Sequence, residues 1–335
     1  MKTNIKIIIL TILLIVSQFI ASSAVKAADE FKTGSYNGLL GKRDYKVYIP
    51  SDLEKNKKYP IVIMLHGCEQ NAVDFAKGTK IVDWAEKKKF IVLLPEQNEA
   101  YNSYKCWNWI LPINNTRTGE PEVVISMLDE VIRKYNGDTN RVFAAGMSAG
   151  GSMVSILGNC YPERFKALAS HDGAQYYATA TGADFSDVVL YGASVASATA
   201  AQIGNNCSAF VRNRPKQMPI IIFHGMSGPL MSPAHAFQVE AEFKMFNDLL
   251  DNGVRDNSYF LEKSVTFVPA TKTAYGYNKY VLINPNHEAL IERYMINDLS
   301  HSWSGGTKDM SYNDPKGPDA TGFIMDFFER FGLKD

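Results

Sequence analysis

The chain has 335 residues, 46% of them hydrophobic, enough to bury a large core in one domain or two. Its 35 basic and 35 acidic residues cancel, and no run of Lys or Arg is long enough to follow a phosphate backbone, so nucleic acid is not an expected partner. From the N-terminus, positive charge in Met1 to Lys6, an apolar run from Ile7 to Ile20 and small residues ending in Val-Lys-Ala at Ala27 predict a cleaved export signal over 1–27. The apolar run is shorter than the ~20 residues a spanning helix needs, so no stable membrane insertion is expected after cleavage. The mature protein is then residues 28–335, secreted or periplasmic.

Along that mature chain, short apolar runs ending in turn residues predict strands buried on both faces: 45–50, 59–67, 90–97, 141–146, 165–173 and 219–225. Helical spacing lies between them. Val124, Leu128, Val131 and Tyr135 precede an Asn-Gly stop at 136–137, and Val239, Phe243, Phe246 and Leu250 precede another at 252–253. This alternation predicts a mostly parallel α/β sheet with helices on both faces, in a single domain because no linker or repeat divides the chain. Residues 176–214 and 254–285 fit the alternation poorly, and for them two readings stand open: a cap-like insertion over a site, or surface excursions.

Four cysteines, Cys68, Cys106, Cys160 and Cys207, in an exported chain suggest two disulfides, with three connectivities open. No CxxC or HxxxH spacing points to a metal.

The chemistry centres on Gly146-Met147-Ser148-Ala149-Gly150. The sequence is GxSxG, placed after an apolar strand and before a helical pattern, where a sharp turn exposes the serine hydroxyl and small flanking residues let strand and helix approach. Ser148 is the candidate nucleophile. The strand ending in His66-Gly67-Cys68 could set the amide of Cys68 opposite that of Ala149, giving two N–H donors for a developing oxyanion. Among six histidines, His66 and His224 belong to strand-terminal His-Gly turns, His171 precedes Asp172 beside a turn, and His235 and His287 sit in helix-like contexts. His301, in a polar, glycine-rich loop late in the chain, is the candidate base.

The motifs LHGCEQ (65–70), PEQ (95–97), CWNW (106–109), GMSAGG (146–151), HG at 224, SHSWSGG (300–306) and GPDATGFIMDFF (317–328) together resemble the poly(3-hydroxybutyrate) depolymerase family of esterases, of the α/β-hydrolase superfamily and related to feruloyl and acetylxylan esterases. The resemblance implies Ser148 as nucleophile, His301 as general base, and Cys68 and Ala149 as oxyanion-hole donors. It also implies a Cys68–Cys106 disulfide pinning the CWNW loop, which leaves Cys160 with Cys207, and places Trp303 in the substrate cleft. The implied activity is hydrolysis of hydroxyalkanoate oligomers, or of feruloyl or acetyl esters, without a cofactor.

One position departs from the family's pattern. The third residue after the second His-Gly is usually Asp and is here Gly228, and no Asp or Glu occurs between Asp187 and Glu240. Either another carboxylate serves His301, with Asp298, Asp309 and Asp314 as the nearby candidates, or Gly228 replaces an aspartate in surroundings otherwise intact. The alternative is a catalytically impaired protein that binds esters or polysaccharides on the same scaffold.

Overall fold

The computed structural model describes residues 31–334 except 183, 229 and 261; the expected signal over 1–27 lies outside the described residues. Two strands open the described chain, β1 (Phe31–Gly38) and β2 (Gly41–Tyr48), paired as an antiparallel hairpin. Alternation then sets in: β3 (Tyr59–Leu65), α1 (Ala72–Gly78), α2 (Ile81–Lys88), β4 (Ile91–Pro95), α3 (Glu120–Tyr135), β5 (Gly137–Met147), α4 (Ala149–Cys160) and β6 (Ala167–His171). Next come α5 (Phe185–Tyr191), α6 (Ser197–Cys207), β7 (Ile220–Gly225), α7 (Ala234–Asn252), β8 (Glu262–Val268), β9 (Tyr277–Ile283), β10 (Ala289–Ile296) and α8 (Ala320–Arg330). A two-stranded parallel ladder, Trp303–Ser304 with Asn313–Asp314, lies between the last two.

Ten strands form one sheet in the order β1-β2-β4-β3-β5-β6-β7-β10-β9-β8. The centre from β4 to β10 is parallel throughout, and antiparallel pairs close both edges. The unbroken apolar strands follow from burial on two sides. On β3, Ile61, Ile63 and Leu65 pack with the core that contains Val124 and Leu128 of α3, Met153 of α4 and Phe243 of α7. Val62 and Met64 face the other core, with Phe75 of α1, Ile81 of α2 and Phe328 of α8. Successive residues of an extended strand point to opposite faces, so both registers must be apolar.

The expected helix stops are present: Asn136 takes a left-handed conformation (φ 56°) after α3, and Gly253 (φ 82°) ends α7. The two segments that fitted poorly have separate fates. Residues 176–214 carry α5 and α6, while 254–285 supply β8 and β9, an antiparallel extension of the sheet. His287, expected in a helical context, sits in the turn between β9 and β10 with φ 62°. Among the described residues no helix is long and apolar enough to cross a membrane.

Candidate active site

The nucleophile candidate stands between β5 and α4. Ser148 has φ 57° and ψ −122°, a conformation strained for any residue with a Cβ, and α4 begins at the next residue. Hydrogen bonds fix the turn on both sides: Ser148 N–H donates to His171 O at 2.8 Å, and Ser152 N–H donates to Ser148 O at 2.9 Å. The flanking glycines are required by close approach. A Cβ at Gly146 would lie 2.5 Å from the Gly150 carbonyl carbon, and one at Gly150 only 2.0 Å from Leu65 O.

A cavity of about 690 Å³ opens above the elbow, and Ser148, Ala149, Cys68 and His301 all line it. Its remaining wall is largely apolar, with Trp107, Trp109, Phe185, Val189 and Met231 among the contributors. Phe185 and Val189 belong to α5, so part of the 176–214 segment forms a wall of this cavity.

The loop after β3 is braced from within. Gly67 N–H donates to Gln70 Oε1 at 2.8 Å and Glu69 N–H to Tyr104 O at 2.7 Å; none of the described hydrogen bonds takes up the Cys68 N–H between them. Beneath it the buried His66 holds Gly67 O through Nδ1 at 2.7 Å and accepts Gln97 N–H at Nε2 at 3.1 Å. This assigns the ring proton to Nδ1. Burial pushes His66 down to about 4, consistent with a ring that packs without charge. Cys68 is joined to Cys106, and Cys160 to Cys207, the pairing the resemblance implies.

The aromatic loop at 106–109 has a second anchor that sequence reading missed. Glu120, at the start of α3, accepts from Asn108 N at 2.7 Å, Asn108 Nδ2 at 2.6 Å and Gln97 Nε2 at 2.6 Å. Burial raises its carboxyl above the ordinary range, although these donors oppose the shift.

Trp303 does not line the cavity, contrary to the expectation from sequence. It is 1% exposed, donates from Nε1 to Thr321 Oγ1 at 3.0 Å, meets Phe75 edge-on and stacks on His171. The strand pairing of Trp303 turns the indole inward, and Trp107 and Trp109 supply the aromatic wall instead.

The carboxylate beside His301 is none of the three weighed from sequence. Asp314 accepts from Tyr275 Oη and Lys316 N, and neither Asp298 nor Asp309 reaches His301 at ion-pair distance. Asp172, the residue after β6, lies with Oδ2 at 3.3 Å from His301 Nδ1. It is also approached by His224 Nδ1 (3.2 Å to Oδ1) and His171 Nδ1 (3.4 Å to Oδ2). These three contacts are at ion-pair distance without the alignment of hydrogen bonds, whereas Gly225 N–H does donate to Oδ1 at 3.0 Å. Burial by itself would raise the Asp172 carboxyl. The surrounding imidazoles outweigh it and hold the group well below the usual carboxylate range. An acidic residue followed by glycine at the carboxyl end of a buried strand was a legible signal, since such ends converge on the site of an open α/β sheet.

Comparison with known proteins follows the same outline. Residues 43–261 match the family described as Esterase PHB depolymerase. Feruloyl esterase B of Thermothelomyces thermophilus is 28% identical over 242 residues, covering 69% of this chain and 77% of its own length. Poly(3-hydroxyalkanoate) depolymerase C of Paucimonas lemoignei is 26% identical over 257 residues, 76% of this chain but 57% of its own. The structure of the acetyl xylan esterase from Aspergillus awamori superposes with a TM-score of 0.67 over 89% of this chain and 99% of that one, at 17% identity. Such a likeness fixes the fold, an α/β-hydrolase.

Proposed function

The chain belongs to the PHB depolymerase family of esterases and is a carboxylic ester hydrolase; from that premise we propose that it works as an exported serine esterase through an acyl-enzyme. The observation that carries this reading is the strained Ser148 sharing one cavity with His301, Cys68 and Ala149. Ser148 Oγ attacks the acyl carbonyl while His301 takes its proton. The oxyanion forms against the amides of Cys68 and Ala149, the alcohol leaves with the proton returned by His301, and water repeats the sequence on the acyl-enzyme. Every group required is on the chain, so the reaction proceeds without a cofactor. An apolar cavity with aromatic walls suits the acyl portion of hydroxyalkanoate oligomers or of feruloyl or acetyl esters, small or oligomeric. Two disulfides among four cysteines support passage through an oxidising compartment, and hence a secreted or periplasmic location.

Release of nitrophenol from short-chain nitrophenyl esters tests the reading. Ser148→Ala is expected to abolish both the initial burst and steady turnover. Equal rates for the variant and the native protein would leave the impaired binding protein as the better description.

A further inference from the structure

Granting Ser148 and His301 those roles, we propose that Asp172 is the positioning carboxylate of His301, acting from the end of β6 in place of a residue at 228 beyond β7. Three features of the fold carry this.

The first is reach. β6 lies between β5, which bears Ser148, and β7, which leads to Gly228; β10, which leads to His301, lies on the far side of β7. A carboxylate at the end of β6 therefore sits one strand nearer the nucleophile than one beyond β7, yet its Oδ2 still comes within 3.3 Å of His301 Nδ1. Catalytic contacts of this length commonly tighten only when substrate is in place.

The second is construction. Asp172 is 1% exposed and adopts φ 51°, a left-handed conformation that costs a non-glycine residue energy unless its surroundings impose it. Those surroundings are specific. Its N–H donates to Phe223 O at 2.9 Å, and Gly225 N–H donates to its Oδ1 at 3.0 Å, tying both backbone and side chain to β7. Ser304 N–H donates to His171 Nε2 at 3.1 Å, so the ring proton of His171 is at Nδ1, 3.4 Å from Asp172 Oδ2. His171 is in turn clamped between Phe223 and Trp303. A buried carboxylate held in this way can orient His301 with its proton at Nδ1 and leave Nε2 free to accept from Ser148.

The third is the state of the other position. A Cβ built on Gly228 would meet Ser300 Cβ at 3.8 Å, an ordinary van der Waals contact. With φ 102°, any residue but glycine would be strained at 228.

Five proteins, native, Asp172→Asn, Gly228→Asp, the double variant and Ser148→Ala, test the proposal with p-nitrophenyl butyrate. Asp172→Asn is expected to lower kcat by about three to four orders of magnitude with KM changed by no more than about threefold, the pattern for losing an orienting carboxylate. Gly228→Asp alone is expected to stay within about threefold of native, because the role is already filled. The double variant Asp172→Asn with Gly228→Asp is expected to recover at least about tenfold over the single Asn variant, partially because of the strain at 228. An Asp172→Asn protein as active as native, while Ser148→Ala is inactive, would overturn the proposal and leave the esterase reading standing; inactive native protein would instead strike the reading itself. If Asp172→Asn does not fold, native protein labelled with ¹⁵N-histidine decides the matter. His301 in the Nδ1–H tautomer supports the proposal, and the Nε2–H tautomer sinks it.

Discussion

Trp303 and His171 stack with ring centroids 5.1 Å apart and planes 24° from parallel, so the indole expected in the substrate cleft instead supports an imidazole that faces Asp172. Trp303→Ala would open a cavity in the core that holds Phe75, Phe223 and Ile324, and should cost about 3–5 kcal/mol in urea unfolding. Because the ring is walled off from substrate, kcat should fall through misplaced imidazoles while KM stays nearly constant. A selective rise in KM would return Trp303 to the cleft.

The sequence made the sheet legible because its central strands are buried on both faces and read as continuous apolar runs. Ser148 and His301 were legible for another reason: an elbow and a late glycine-rich loop each have local signatures. Asp172 was not read, since Asp298, Asp309 and Asp314 stand near His301 along the chain, whereas a residue 129 positions away is brought to it only by β7 lying between β6 and β10. The edge strands β1 and β8 were missed because they are half-exposed or exposed and lack an apolar run. Trp303 was misassigned because an indole near a base looks the same in sequence whether it faces solvent or core.

The two disulfides should separate stability from rate. Cys68→Ser with Cys106→Ser opens a loop of sequence separation 38 and should cost about 3–4 kcal/mol on the chain-entropy account. It should also lower kcat, because the amide proposed to face the oxyanion belongs to residue 68 and loses its tether to the 106–109 loop. Cys160→Ser with Cys207→Ser, separation 47, should cost a similar amount in denaturant. It joins the far end of α4 to α6, so kcat measured well below the melting point should hardly change.

Glu242 gives a pH dependence of its own. It is fully buried on α7, and neither carboxyl oxygen has a hydrogen-bond partner among the described residues. Burial raises its carboxyl well above the ordinary range, with Asn159 opposing only in part. A folded value above the unfolded one means the contribution is fully present below about pH 4.3 and is lost as pH rises through the folded value. Glu242→Gln should therefore gain stability relative to native as pH increases. Melting temperatures of the two proteins that run parallel at every pH from about 4.3 upward would disprove the assignment.

His66 should act in the opposite direction. Its folded value of about 4 lies below the unfolded value near 6.5, so its contribution is complete above about pH 6.5 and disappears as pH falls to about 4, a loss of roughly 3 kcal/mol. The ring bridges Gly67 O and Gln97 N–H beneath the loop that carries Cys68, so protonation would place a second ring proton against an amide that can only donate. His66→Leu removes the titration and both hydrogen bonds. The variant should be less stable than native at neutral pH by about 2–3 kcal/mol, show a flatter stability profile between pH 6.5 and 4, and turn over more slowly at every pH. Denaturant midpoints measured across that range decide it: equal slopes for native and variant would mean that His66 already titrates freely in the folded protein.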